Sequence, residues 1–191
     1  MKKRHWNDYL WIWPIVYFSL GYFNILFAWL GMIDFILPLL FAVFGGNKAF
    51  CNRYCGRGML LERCGKCSVK AKTPRVLSAR WFRYGFLVFF LAMFGSMIFQ
   101  TWLVASGAES LKEGIRLLWM FGIPWSHANA AESVPGWIVQ FGYGFYSLML
   151  TSTVIGLAVN VLFRPRSWCC FCPMGTMTQI ICRLKAKGRK S

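Results

Sequence analysis

Long runs without charged side chains alternate with basic segments along this chain. Residues 9–33 contain no Asp, Glu, Lys or Arg, and the chain is again uncharged from 35 to 47. Two later uncharged runs cover 84–105 and 134–163, which are 22 and 30 residues long. A membrane-spanning helix needs about 20 apolar residues, so each later run is long enough for one crossing. The pattern predicts an all-α integral membrane protein.

The positions of the basic residues predict the number of crossings. The 191 residues carry 22 Lys+Arg and 6 Asp+Glu, a net charge of +16. Ten basic residues lie in 48–83 and seven in 164–190, whereas 106–136 contains only two. Because basic loops remain in the cytoplasm, segment 48–83 and both termini are expected on that side of the inner membrane. The first uncharged region must then cross twice, and the expected crossings are about 9–30, 33–47, 83–105 and 137–163.

The first uncharged region is barely long enough for two crossings. We expect it to turn at residues 31–34, with Trp13 near the inner membrane boundary and Trp29 near the outer one. Residues 33–47 would rise only about 22 Å, less than the roughly 30 Å of the hydrocarbon core. The second crossing is therefore predicted to be the weaker of the two.

These patterns predict one membrane domain, 1–191, formed by a bundle of about four helices in two hairpins that are related as parallel repeats. Its expected parts are hairpin 9–47, cysteine loop 48–82, hairpin 83–163 with outer loop 106–136, and basic tail 164–191. The lipid bilayer is thus the first predicted partner. Nucleic-acid binding is rejected, because membrane topology explains the positive charge and no recognition module accompanies it.

The outer loop carries a helix signal of its own. Ser110 and Glu113 have the spacing of a capping box. Apolar residues follow at helical intervals, at Leu111, Ile115, Leu118 and Trp119. We therefore expect a short amphipathic helix there, lying on the outer membrane surface or docking a partner.

All eight cysteines fall in segments predicted to be cytoplasmic. They are Cys51, Cys55, Cys64 and Cys67 in the cysteine loop, and Cys169, Cys170, Cys172 and Cys182 in the basic tail. The cytosol keeps thiols reduced, so this clustering indicates a metal site or a redox pair rather than a disulfide framework. Zinc and iron–sulfur clusters both accept four thiolates. The proline after Cys172 and the membrane anchor favour an iron–sulfur electron carrier.

The two cysteine segments also repeat each other loosely. Each follows a predicted hairpin, presents a pair of cysteines, and has a glycine three residues after the second cysteine, at Gly58 and Gly175. A pseudo-two-fold axis along the membrane normal would bring the pairs face to face, and two plus two thiolates would hold one cluster. The glycines would allow the backbone to approach, so that amide N–H groups could bond sulfur. Positive charge around the cluster would come from Arg53, Arg57, Arg166 and Arg183.

The motifs C-N-R-Y-C-G-R-G at 51–58 and R-S-W-C-C-F-C-P-M-G-T at 166–176 resemble polytopic membrane iron–sulfur proteins of the NapH/NosR type, in a short form without the ferredoxin domain. This resemblance implies a 4Fe–4S cluster and electron exchange with quinol, a flavoprotein or a ferredoxin. Carried over by position, the ligands would be Cys51, Cys55, Cys169 and Cys172. There are two departures from the family pattern. Gly56 replaces the family's proline, and the second motif is one residue shorter than Cys-x3-Cys, which makes Cys170 a competing ligand.

Alternatives remain open at this level. One shared cluster is favoured, but eight cysteines would serve two clusters, with Cys64 and Cys67 completing the first; Cys170 and Cys182 are the other secondary candidates. Cys64 and Cys67 could instead form the exchanging pair of a membrane thiol–disulfide oxidoreductase. A zinc or other metal-binding assembly subunit without electron flow is the third interpretation. We expect an electron-carrying subunit of an oxidoreductase rather than a stand-alone enzyme.

Overall fold

The structure is a computed structural model that describes residues 9–45, 50–64, 74–108, 110, 115–117, 121–123, 134–163 and 167–188. The described chain is helical apart from one short pair of strands. Its longer helices are α1 (Ile12–Phe23), α2 (Leu30–Gly45), α3 (Gly56–Cys64), α5 (Arg80–Ala105), α6 (Gly136–Leu162) and α7 (Pro173–Gly188). The one-turn helix α4 is Arg75–Ser78, and strands β1 (Ile115–Leu117) and β2 (Phe121–Ile123) lie between α5 and α6.

Three helical segments are long and apolar enough to cross a membrane, which indicates a membrane protein. They are Ile25–Gly45, Arg80–Ala105 and Gly136–Leu162, with 21, 26 and 27 residues. The expected crossings at 83–105 and 137–163 correspond to the last two. The fourth apolar helix, Ile12–Phe23, has 12 residues. At 1.5 Å per residue it rises about 18 Å, which is short of the roughly 30 Å hydrocarbon core.

The predicted turn of the first hairpin at residues 31–34 is wrong. The chain turns at Asn24, whose backbone is extended (φ −147°, ψ 119°) and whose side-chain oxygen accepts a hydrogen bond from the Leu26 amide at 3.0 Å. Asn24 thereby caps a 3₁₀ turn, Ile25–Trp29, that leads directly into α2. The boundaries predicted for the first two crossings, 9–30 and 33–47, are therefore wrong as well. The shorter helix of this hairpin is the first, whereas the second was predicted to be the weaker crossing.

Asp34 lies inside α2 rather than at a loop. The indole Nε1 of Trp13 donates to both carboxylate oxygens of Asp34, at 3.1 and 3.0 Å. This bond joins the beginning of α1 to α2 in antiparallel fashion, because Asn24 is the turn between them. A carboxylate inside an apolar helix needs such a donor, since an unpaired polar group buried in hydrocarbon is costly.

The described chain divides into two compact units. The cysteine unit comprises Met1–Ile15, Asp34–Phe89 and Ile155–Ser191, and the second unit comprises Val16–Ile33 and Phe90–Val154. The seven described cysteines all fall within the cysteine unit. The prediction of a single domain stays a prediction, and each of the two units is compact in itself.

Aromatic side chains of α6 pack against small residues in the second unit. A Cβ on Gly21 would lie 2.5 Å from the Tyr146 ring, and one on Gly31 would lie 2.7 Å from Phe145. The Tyr146 hydroxyl donates to the Phe18 carbonyl at 3.0 Å. Glycines therefore let α1 and α2 approach α6 closely, as is typical of helix packing in membranes.

The helix predicted in the outer loop is contradicted where the structure describes it. Residues 115–117 form β1, which pairs antiparallel with β2 so that Ile115 faces Ile123 and Leu117 faces Phe121. The β-branched residue Ile115 and the cross-strand pairing override the weak local helix signal. Residues 111–114 and 118–119 of that expected helix lie outside the described residues.

Candidate iron–sulfur site

The second cysteine segment is anchored by two aromatic side chains of its own motif. Trp168 and Phe171 are buried with Leu61 in the core of the cysteine unit, at 5% and 2% exposure. Their rings lie 5.0 Å apart, and both meet Phe86 edge-on, at 5.6 and 5.2 Å. Because the 3₁₀ helix Ser167–Cys170 has three residues per turn, Trp168 and Phe171 share one face. Cys169 and Cys170 lie on the exposed side, and Cys172 packs against the core.

The second cysteine of each pair occupies the same local position in the chain. Cys55 directly precedes α3, and Cys172 directly precedes α7, whose first residue is Pro173. The carbonyl of Cys55 accepts from the Met59 amide at 3.1 Å, and that of Cys172 accepts from Thr176 at 2.9 Å. Both cysteines are therefore N-cap residues, where the free amides and the helix dipole favour negative charge on a side chain.

The third residue of each of these helices is one of the two predicted glycines. The Gly58 amide donates to Sγ of Cys55, with N and S 3.4 Å apart, so the sulfur acts as the side-chain cap of α3. Gly175 occupies the matching position in α7, and a Cβ there would lie 3.9 Å from Cys172 Cβ. The Gly58 amide thus bonds a cysteine sulfur, and this contact depends on the N-cap geometry.

The two cysteine segments meet at Gly58. A Cβ on Gly58 would lie 3.6 Å from Cys55 Sγ and 4.0 Å from Cys169 Sγ. One sulfur from each segment thus flanks the same small volume, which a glycine leaves free. On the other side, Cys51 Sγ lies 3.9 Å from the hydroxyl of Thr178, a buried residue of α7. Both cysteines of the first segment therefore contact or face the second segment.

The groups that shift the pKa of Cys55 come from the same site. Burial raises the pKa of Cys55 to about 11, and the thiols of Cys172 and Cys51 contribute to the increase. The Gly58 amide and the positive charge of Arg57 act in the opposite direction, towards a lower pKa. Arg57 is thus one of the four predicted arginines that acts on a cysteine. Arg183 lines a separate cleft, and the side chains of Arg53 and Arg166 lie outside the described residues.

Polar groups that the sequence interpretation missed support the second segment. Asn160 is fully buried near the end of α6, and its Oδ1 accepts from the Trp168 amide at 3.4 Å. Its Nδ2 has no hydrogen-bond partner among the described residues. This leaves a buried donor beside the residue that precedes Cys169. Asn160 and Thr178 could have been noticed, since polar residues within or beside apolar helices commonly mark functional sites.

Among the described residues, the contacts above do not include the secondary candidates Cys64, Cys170 and Cys182. Cys64 is the last residue of α3, Cys182 lies within α7, and Cys170 is exposed beside Cys169. Cys67 lies outside the described residues.

A single metal ion and a cubane place different demands on the positions of the thiols. Thiolates on one zinc ion lie about 3.8 Å apart, because each is about 2.3 Å from the metal in a tetrahedron. Within the described part of the chain, no three His, Cys, Asp or Glu side chains are placed to hold one ion. A cubane spreads its four thiolates over four separate irons, so it suits a wider set with a free volume between them. The glycine-lined gap, the N–H···S bond and the orphaned Asn160 donor are all compatible with a group that carries acceptor sulfur.

Gly56, which stands where the resembled motif has proline, has a local packing reason. A Cβ at this position would lie 2.6 Å from the Leu10 carbonyl oxygen and 3.2 Å from Pro14. The segment that leads into α1 thus packs directly on the beginning of α3. Any residue with a Cβ, proline included, would force the two backbones apart.

Comparison with known proteins adds no relative: no family model, curated protein or solved structure matches this chain.

Proposed function

We propose that this chain is a membrane-bound iron–sulfur protein that transfers single electrons at the cytoplasmic face of the inner membrane, as a subunit of a larger redox complex. The observation that carries the proposal is the approach of Cys55 and Cys169 to the same point beside Gly58. These thiols come from opposite halves of the sequence. Cysteines kept only for packing have no reason to converge from separate segments onto a gap that a glycine leaves free.

Cys51, Cys55, Cys169 and Cys172 would hold a 4Fe–4S cluster, which would supply one-electron redox chemistry. The chain's own groups would tune it. The Gly58 amide bonds the Cys55 sulfur, and Arg57 places positive charge nearby. A hydrogen bond and a positive charge at a thiolate both stabilise additional negative charge, so they favour the reduced state. Asn160 offers a further buried donor beside the second segment.

The position of the site supports exchange with a partner protein. Trp168 and Phe171 shield it on the core side, whereas Cys169 and Cys170 are exposed. A soluble flavoprotein or ferredoxin could therefore approach the exposed edge. Basic residues of the cysteine unit would attract the acidic surface of such a carrier. Quinone is a further candidate partner, because α2, α5 and α6 are apolar enough to span a membrane in which quinones dissolve.

Electron paramagnetic resonance on anaerobically purified full-length protein tests the proposal. We expect no signal as isolated and, after dithionite reduction, a rhombic spin-½ signal typical of a reduced cubane. A redox titration should follow a one-electron Nernst curve. Stoichiometric zinc without iron would support the assembly-subunit alternative and contradict the proposal. A two-electron titration of thiols in iron-free protein would instead favour the thiol–disulfide oxidoreductase.

A further inference from the structure

A second polar feature of the cysteine unit lies away from the cysteine site. The beginning of α5 and one side of α7 enclose a small open cleft. Arg80 and Arg83 line it from α5, and Thr176, Gln179 and Arg183 line it from α7. No acidic side chain is among the described residues that line it.

Three guanidinium groups around one cleft repel one another unless an anion lies between them. Arg83 is held in place, since its Nη2 donates to the Gln179 side-chain oxygen. Its Nε is buried and has no hydrogen-bond partner among the described residues. The Arg83 guanidinium is thus oriented by one hydrogen bond, and its buried Nε–H is available to donate to a ligand. Planar, preorganised arginine donors of this kind match the oxygens of a phosphate group.

The size of the cleft limits what it can hold. Its volume is about 40 Å³, enough for about three water-sized positions. That accommodates a group about the size of a phosphate. Among the described residues that line it, Ile180 and Tyr84 are the apolar and aromatic ones, and the other five carry polar or charged ends. The ligand's recognised part is therefore small and anionic.

The cleft also lies where phosphate groups are concentrated in a bilayer. Arg80 is the first residue of a 26-residue apolar span. Next to it Trp81 is 72% exposed, and Tyr84, at the cleft, is 43% exposed. Exposed Trp and Tyr at the end of an apolar helix mark the headgroup level. From the arginines, the buried donor and this position, we infer that the cleft binds a phosphate group, either of an anionic phospholipid or of a soluble phosphate compound. The inference does not depend on the iron–sulfur proposal.

Thermal unfolding of the full-length chain in an uncharged, phosphate-free detergent tests the inference. The probes are dioctanoyl phosphatidylglycerol, inorganic phosphate at constant ionic strength, and dioctanoylglycerol, which lacks the phosphate. We expect a saturable rise of the unfolding midpoint with at least one phosphate-bearing probe and none with dioctanoylglycerol. Saturation with phosphatidylglycerol alone identifies a lipid headgroup, whereas saturation with inorganic phosphate identifies a soluble phosphate compound as sufficient.

Substitutions tie the effect to the cleft. Arg80→Gln and Arg183→Gln change exposed side chains and should leave the fold intact, yet each should weaken binding about tenfold, as expected for the loss of one hydrogen bond to a charged group. Arg83→Gln should weaken phosphate binding by more than either of these two substitutions. The matched control is Arg75→Gln, which removes the same charge from exposed helix α4 and should bind as the parent does. No saturable stabilisation, equal stabilisation by dioctanoylglycerol, or equal weakening by Arg75→Gln would overturn the inference.

Discussion

Cys55→Ser and Cys172→Ser should each abolish iron binding, from about four irons per chain to less than one. A serine hydroxyl is close in size to the thiol but is a far weaker ligand for iron, so the substitution removes the bond and preserves the packing. Both residues are N-caps, and serine is also a good N-cap, which should keep α3 and α7 intact. The same loss is expected for Cys51→Ser and Cys169→Ser.

The chain provides matched controls for this prediction. Cys64→Ser lies on α3, which Cys55 caps, and Cys182→Ser lies on α7, which Cys172 caps. Cys170→Ser is directly adjacent to a proposed ligand. All three variants should retain the parent's iron and its spin-½ signal. Iron retained in Cys55→Ser but lost in Cys64→Ser would show that the ligand assignment is wrong.

Phe171→Ala should destabilise the protein by about 3–5 kcal/mol, the usual cost of removing a buried phenyl ring and leaving a cavity. Phe171 is 2% exposed, and its ring lies 5.4 Å from Phe82 and 5.2 Å from Phe86. It is also the residue immediately before Cys172. The substitution should therefore also release the cluster more quickly when the protein is exposed to air.

Equilibrium unfolding in mixed detergent micelles, read by tryptophan fluorescence, measures this effect. The control is Phe44→Ala, because Phe44 belongs to the same unit but is 79% exposed. Its substitution should change the free energy of unfolding by less than about 0.5 kcal/mol. Equal stability of the two variants would mean that Phe171 is not part of the core that supports the cysteine segment.

The later half of the fold could be predicted because its signals are strong and local. The apolar runs at 84–105 and 134–163 exceed the length of a crossing, and α5 and α6 follow them closely. The first hairpin could not be placed in the same way. Its turn depends on one side-chain cap at Asn24, whereas Asp34, which suggested a loop, lies within α2 and accepts hydrogen bonds from the Trp13 indole.

The same distinction between local and long-range contacts applies to the candidate site. The hydrogen bond between the Gly58 amide and Cys55 Sγ is a local contact, and the sequence indicated glycine amides near sulfur without specifying this pair. The contact of Cys51 with Thr178 joins residues 127 positions apart, and the bond from Trp168 to Asn160 connects the second cysteine segment to α6. No pattern within a single segment specifies such pairs. The outer-loop helix failed for the same reason, since β1 forms by pairing with β2.

The central claim is one cluster shared between two cysteine segments. Its most direct test is the amount of iron and acid-labile sulfide per chain in anaerobically purified protein, for the parent and for Cys64→Ser. A shared 4Fe–4S site predicts about four irons and four sulfides in both proteins. About eight irons in the parent, reduced by half in Cys64→Ser, would contradict it and assign a separate cluster to each segment.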